Sequence, residues 1–386
     1  MKTFLGVGLG PIQTGIFLDG ASRGGFDRMV IAEVDAALIS SVRAADGIIR
    51  ISIAGQDAVT ARTIRGIEIY SPANREEVTR LVHAASLADE VATALPSITS
   101  FQHLDWLRQG FSQQPERQRL VYAAENHNHA AEELEKTVGG FPNTRYLNTV
   151  IGKMSCVLSA DECTRRGLPT LTSTCYRGHL VEEFNRILIQ SCDAIEERRV
   201  QGLTPKPELL PFEEAKLYGH NAAHLWLGLH AKERGLGFMH ELGGEQALIE
   251  ECRSMFLNEI GAALCAKWGG VDQLFTSKVF AGYADDLLVR MVNPLLQDPV
   301  TRVCRGLERK LSWDDRLVGA MRLALSQGIP PVRLGAGAAI AAVERWGSDA
   351  GDVQAGLENL WGSWSNEADT VWSHIAPCVS KRLTHA

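Results

Sequence analysis

The sequence predicts an α/β fold in which a parallel-sheet domain is followed by a mostly α-helical one, and three observations lead there. Short apolar runs alternate with helical patterns through the first half of the chain. A glycine-rich turn directly follows the first of those runs. Beyond about residue 206 apolar residues recur at helical spacing almost to the end.

In order, the strand candidates of the first half are Thr3–Val7, Met29–Val34, Ile49–Ile53, Glu90–Ala94 and Arg119–Ala123. Helical patterns lie between them, as at Ala36–Arg43 and Arg75–Ala85. A further strand-like set covers Tyr146–Ile151 and Gly178–Ile189. Strand–helix alternation of this kind builds a mostly parallel sheet with helices on its faces. Thr204–Pro211, with its three prolines, reads as a connection. Helices are then expected at His220–Arg234, Gly244–Trp268, Val271–Val292, Asp314–Ser326, Gly335–Trp346 and Val353–Trp361. The chain of 386 residues therefore divides into domains at 1–205 and 206–386.

Composition removes several classes of function. A net charge of −7 disfavours nucleic acid or an anionic membrane as the main partner, since phosphate contacts need clustered Lys and Arg. No apolar run approaches the ~20 residues needed to span a bilayer. The N-terminal apolar stretch reads as the first strand rather than a signal peptide. The eight cysteines are scattered without a CxxC pair, which suits reduced thiols in a cytoplasmic protein better than a disulfide framework.

The segment Gly8-Leu9-Gly10-Pro11-Ile12-Gln13 follows the first strand and is similar to GxGxxG, with Gln13 in the third glycine's place. Gly8 allows the tight turn, and Gly10 lets the backbone approach a pyrophosphate seated on a helix N-terminus. Glu33 ends the second strand ~20 residues later, where an acid holds the adenosine ribose hydroxyls. A carboxylate there repels a 2′-phosphate, so the expected cofactor is NAD and the domain is of Rossmann type. Thr93 and Asn126 end later strands and are further candidates for cofactor contact, because open α/β sheets bind ligands at the carboxyl ends of their strands.

The second constellation lies in Pro211–His224. On an α-helix, about 100° per residue puts Lys216 at 0°, Asn221 at about 140° and His224 at about 80°, all within reach of one pocket. Oxidation of an alcohol needs a base for the hydroxyl proton and donors for the developing alkoxide. A lysine of lowered pKa can be that base, while Asn amide and His N–H groups can hold the oxygen. His220, His224 and His230 could suggest a metal site, but no HExxH pattern or carboxylate set accompanies them, so none is expected.

K-x4-N-x2-H preceded by an acid resembles the polyol-specific long-chain dehydrogenase/reductase (mannitol dehydrogenase) family. The similarity runs through GLGPIQTGIF, AAENHNH, YLNTVIGKMS, HLVEEFNR, PFEEAKLYGHNAAHLWLG and NPLLQDPVTRVCRGLERKLSWDDRL. Length and the RKLS-x-x-DRL stretch look most like its mannitol-1-phosphate 5-dehydrogenase branch. The resemblance implies a zinc-independent oxidoreductase that interconverts a polyol, or a polyol phosphate, and its keto sugar. It implies Lys216 as the general acid/base, Asn148 and Asn221 as the alkoxide-binding pair, His224 as the orienting group and Glu213 as a proton relay to solvent. Arg302, Arg305, Arg309, Lys310 and Arg316 could supply basic groups to a phosphorylated substrate, although charge on a helix surface is the ordinary role of such residues. Three positions depart from the family pattern: Ile151-Gly152-Lys153-Met154 stands for V-D-R-I, an aromatic is missing after Phe184, and His220 replaces an aliphatic residue.

Two rivals follow from the same residues. A β-hydroxyacid dehydrogenase also joins such a domain to a helical one, but its Lys–Asn spacing is shorter. A catalytically silent NAD-binding regulator has no need of the intact Lys216, Asn221 and His224. Within the resembling family, hexuronate reduction is the alternative reaction.

Overall fold

A computed structural model describes residues 1–347 and 349–383. The chain divides into two compact units, Met1–Leu209 and Leu210–Ala386. The first holds twelve strands: β1 (Thr3–Val7), β2 (Arg28–Ala32), β3 (Ile49–Ala54), β4 (Val59–Ile64), β5 (Ile67–Tyr70), β6 (Glu90–Thr93), β7 (Arg119–Ala123), β8 (Thr144–Val150), β9 (Ser155–Ser159), β10 (Arg177–Glu182), β11 (Ile187–Gln190) and β12 (Leu203–Lys206).

Eight of them form one sheet in the order β12-β11-β8-β7-β6-β1-β2-β5. From β5 to β8 every pairing is parallel, with β1 flanked by β2 and β6. This is the doubly wound order of a Rossmann domain, whose direction reverses beside β1 and leaves a crevice at the carboxyl ends of β1 and β6. β11 then adds antiparallel to β8, and β12 closes the edge.

β1, β6 and β7 are buried along their whole length, as expected of strands covered on both faces. Their alternate side chains serve two cores. Leu5, Val7, Val30 and Val121 pack with Leu81, Trp106, Phe111 and Leu134 from the helices Arg75–Leu87, Asp105–Gln113 and Ala130–Val138. Phe4, Ile31, Ala92 and Tyr122 pack with Ile16, Phe17 and Leu38 on the opposite face.

Two expectations need correction. β3 does not join the main sheet; it belongs to a second one ordered β4-β3-β10-β9, and the strand-like stretch near 178–189 splits between the two sheets. The start of the proline-rich segment is not simply a connection either. Leu203–Lys206 is an edge strand, with Pro205 opposite Ile189. An edge tolerates a residue without an N–H.

The second unit is helical. Its central element runs as the helix Leu210–Glu214, a π-helical turn Ala215–Asn221 and the helix Ala222–Glu233. Apolar residues cover nearly every side of the last segment, and Trp226 is wholly buried. It is thus a bundle-core helix rather than an amphipathic surface one. A second π turn, Phe256–Gly261, carries Glu259, which accepts hydrogen bonds from Arg333 N at 2.8 Å and Leu334 N at 3.0 Å. That carboxylate satisfies the open amides at the start of the helix Val332–Trp346. The helix Asn366–Leu383, which carries Pro377, lies beyond the last helix expected from periodicity. Among the described residues no helix is long and apolar enough to cross a membrane.

Candidate active site

In the first unit the glycine turn sits at the carboxyl end of β1. Gly8 has φ +84°, and its N–H donates to Ala32 O at 2.8 Å. A Cβ there would lie 3.0 Å from Ala94 O, beside the end of β6, so glycine is needed for both conformation and space. A Cβ on Gly10 would meet nothing within 4 Å, which leaves the backbone open to a ligand.

Gln13 is placed differently from a ligand contact. Its side chain is wholly buried and packs against β1, where a Cβ on Gly6 would come within 2.0 Å of its Nε2. The helix–strand contact that a third glycine ordinarily permits is kept by exchanging sizes, with the glycine on the strand. Two residues later, Gly15 gives Val181 of β10 room against the same turn of helix.

Glu33 stands at the end of β2, mostly buried. One carboxylate oxygen accepts from Leu9 N at 2.7 Å, inside the glycine turn, and the other from Val34 N at 2.7 Å and Asp35 N at 3.0 Å. It therefore braces the turn as well as placing a negative charge beside it. Thr93 is wholly buried and donates to Glu125 at 2.9 Å, so its hydroxyl faces the protein interior. The other Glu125 oxygen accepts from Leu95 N at 2.8 Å, and burial raises the pKa of this carboxyl. Asn126 is exposed just beyond β7. Asn148, on β8, accepts from Ala131 N at 2.9 Å and donates to Glu132 at 2.8 Å. Both ends of its amide are engaged at the start of the helix Ala130–Val138.

In the second unit Lys216 and Asn221 both lie on the π turn. The i→i+5 backbone pattern turns positions 216 and 221 nearer to one face than an α-helix would. Gly219 lets Phe256 pack against that turn, since a Cβ would sit 2.8 Å from the ring. Lys216 is half-buried by surface area but ringed by protein. Desolvation and the nearby Arg316 push its pKa down to about 8, with Glu213 opposing them. Glu214 is occupied elsewhere, accepting from Lys267 Nζ and Trp268 Nε1 at 2.7 Å each. Glu213 is thus the acid electrostatically coupled to the lysine. Asn221 is half-buried, and no hydrogen bond of its side chain is formed among the described residues.

His224 Nε2 lies 3.2 Å from Asp298 Oδ2, near enough for an ion pair although off line for a well-formed hydrogen bond. Asp298 also takes two 2.6 Å bonds from Arg302. Burial alone would raise this carboxyl, but His224 and Arg302 outweigh it and bring it down to about 2. Sequence reasoning misses Asp298, whose one signal is the i,i+4 spacing to Arg302. Arg302 is one of the basic candidates, and its guanidinium is committed to that carboxylate. His220 is buried, and desolvation first, then His224 and Arg290, hold it well below the usual imidazole range. Lys310, another of the basic candidates, is buried with its amine donating to Val303 O.

Residues 208–358 match the mannitol dehydrogenase C-terminal domain. Mannitol-1-phosphate 5-dehydrogenase from Brevibacillus brevis is 31% identical over 190 residues, 48% of this chain and 47% of that protein. The match therefore spans about half the length of that relative. The enzyme of the same name from Lactococcus lactis is 24% identical over 339 residues, 85% of this chain and 83% of its own. Mannitol 2-dehydrogenase of Pseudomonas fluorescens, solved as a ternary complex with NAD and D-mannitol, superposes with a TM-score of 0.73 at 14% identity, covering 100% of this chain and 94% of that one. Substrate-free D-sorbitol dehydrogenase gives 0.75 at 13%, covering 99% and 93%. At such identities these likenesses establish the fold. With them, the matched domain and the named relatives give one result: residues 208–358 carry a mannitol dehydrogenase C-terminal domain, within a chain whose fold is that of the polyol dehydrogenases.

Proposed function

We propose that this chain is an NAD-dependent, zinc-independent oxidoreductase that interconverts a polyol or polyol phosphate and its keto sugar. Met1–Leu209 is the cofactor unit and Leu210–Ala386 the catalytic one, so the boundary expected at 205/206 moves past β12. The observation that supports the reading is the π turn, which carries both Lys216, its pKa lowered to about 8, and Asn221, whose side chain forms no hydrogen bond among the described residues. The relatives named mannitol-1-phosphate 5-dehydrogenase support the substrate class.

The residues at the crevice fit a dinucleotide: a glycine turn with positive φ, an open approach at Gly10, and a carboxylate at the end of β2. Gly8, Gly10 and Glu33 would hold it, with Asn126 at the rim. Bound NAD supplies the hydride acceptor. Neutral Lys216 takes the hydroxyl proton at Nζ. The resulting ammonium and the Asn221 amide stabilise the alkoxide. His224, anchored by Asp298, orients the substrate hydroxyls. Glu213 returns the proton to solvent. Asn148 enters as a positioning residue, fixing the helix that follows the Asn126 loop.

The test is a screen of polyols, their phosphates and hexuronates with NAD and NADP, after dialysis against a strong chelator. The expected result is oxidation of a polyol or its phosphate, without added metal, and with kcat/KM clearly higher for NAD. Activity restored only by zinc removes the lysine-based scheme. A clear NADP preference removes the reading of Glu33.

A further inference from the structure

The glycine turn is short of one donor. Pro11 directly follows Gly10 and has no N–H, so the turn presents one amide fewer to a phosphate than the pattern ordinarily allows. A cation from a distant part of the sequence stands against the same turn. Arg177 opens β10 in the second sheet, and its Nη2 donates to Leu9 O at 3.3 Å. Leu9 is the residue between Gly8 and Gly10. The Arg177 Nε–H is buried and meets no acceptor among the described residues.

The guanidinium is held from its other side. It lies over the ring of Tyr176, 5.5 Å from the centroid, and Tyr176 Oη donates to Asp35 Oδ2. Asp35 in turn accepts from Leu38 N at 3.0 Å and caps the helix Ala36–Ala44. The Tyr176 ring is 48% exposed although fixed at its hydroxyl, so it serves as a strut at the rim rather than as core. These contacts keep Arg177 beside the carboxyl ends of β1 and β2 with donor capacity unspent. A guanidinium with a fixed plane suits a phosphate oxygen better than a mobile ammonium does.

We propose that Arg177 is a pyrophosphate-binding residue of the dinucleotide site, brought by the second sheet to replace the donor that Pro11 removes. The proposal rests on the dinucleotide reading above. β10 packs on the helical segment Gln13–Leu18 through Val181 and through His179 Nδ1, 2.9 Å from Thr14 Oγ1, and so fixes Arg177 relative to the turn.

The test is binding of NADH to the full chain, followed by quenching of its eight tryptophans, with ADP-ribose and adenosine as competitors. Arg177→Ala should weaken NADH and ADP-ribose by about tenfold to 100-fold, the range of a charge-assisted hydrogen bond, and leave adenosine unchanged. Arg177→Lys should fall between parent and Ala. Unchanged ADP-ribose binding in Arg177→Ala overturns the proposal. So does an equal loss for adenosine, which marks a damaged site. A parent chain that binds neither NADH nor ADP-ribose overturns the dinucleotide reading itself, and the proposal with it.

Discussion

Lys216→Ala should lose turnover by at least 10²-fold to 10⁴-fold, as expected for removal of a general base, while NADH affinity stays within about twofold of the parent. The separation follows from where the parts lie: the proposed cofactor residues belong to the first unit and Lys216 to the second. Truncation removes the proton acceptor together with the positive charge that forms beside the alkoxide, so loss of electrostatic stabilisation adds to loss of the base. A lysine lining a helical core without a chemical role would behave otherwise. Its removal would change stability by a small amount and leave kcat near the parent's. Stopped-flow or steady-state kcat on folded protein, paired with NADH titration, separates the two. More than about a tenth of the parental kcat rejects the assignment, because it exceeds what loss of even a weak general base permits.

Asp298→Asn should lower kcat by about 10²-fold, the scale of a small misplacement of a reacting group, and should destabilise the fold. His224 would lose its anionic partner, and Arg302 would keep at most one of its two 2.6 Å bonds, because only one oxygen remains to accept. The stability loss has a defined sign. The Asp298 carboxyl falls from 3.8 to about 2 in the fold. It thus contributes about 2 kcal/mol that is fully present above about pH 5 and is lost as pH falls toward 2. The parent's stability should therefore decline with acid through that window more steeply than the variant's. Arg302→Gln is the control. It removes the guanidinium but keeps the His224–Asp298 pair, so it should be destabilised yet retain most of its rate. Equal kinetic damage in both variants would mean that Asp298 acts on the packing of the region and not through His224.

The doubly wound frame is legible in the sequence because strand periodicity, the glycine turn and the acid after β2 are local signals. Thr3–Val7 and Arg119–Ala123 end where the apolar runs end. What stays concealed is of two kinds. Helical periodicity cannot distinguish an i→i+4 from an i→i+5 turn, so the π turn that carries Lys216 and Asn221 is invisible to it, and the 100° wheel sets the two positions farther apart than the π backbone does. Long-range pairings are hidden as well. Asp298 meets His224 across 74 residues, and Arg177 meets Leu9 across 168. Thr93 and Gln13 each occupy a place typical of cofactor contact, and each side chain is wholly buried, Thr93 bonded to Glu125 and Gln13 packed against Gly6. Helical periodicity is plain only as far as Trp361, and the remaining helix carries a proline in its interior.

The pH dependence of polyol oxidation tests the central claim most directly. With its pKa moved from 10.5 to about 8, Lys216 holds about 300-fold more neutral amine at pH 7 than an ordinary lysine would. Only the neutral amine accepts a proton, so kcat/KM for oxidation should rise with pH as one group titrates near 8 and then level off. Reduction should run the opposite way, falling as the ammonium is lost. The limb should be absent from whatever residual rate Lys216→Ala retains. A parental profile that is flat between pH 6 and 10, or a limb near 8 that survives in Lys216→Ala, would contradict the assignment of this lysine as the acid/base.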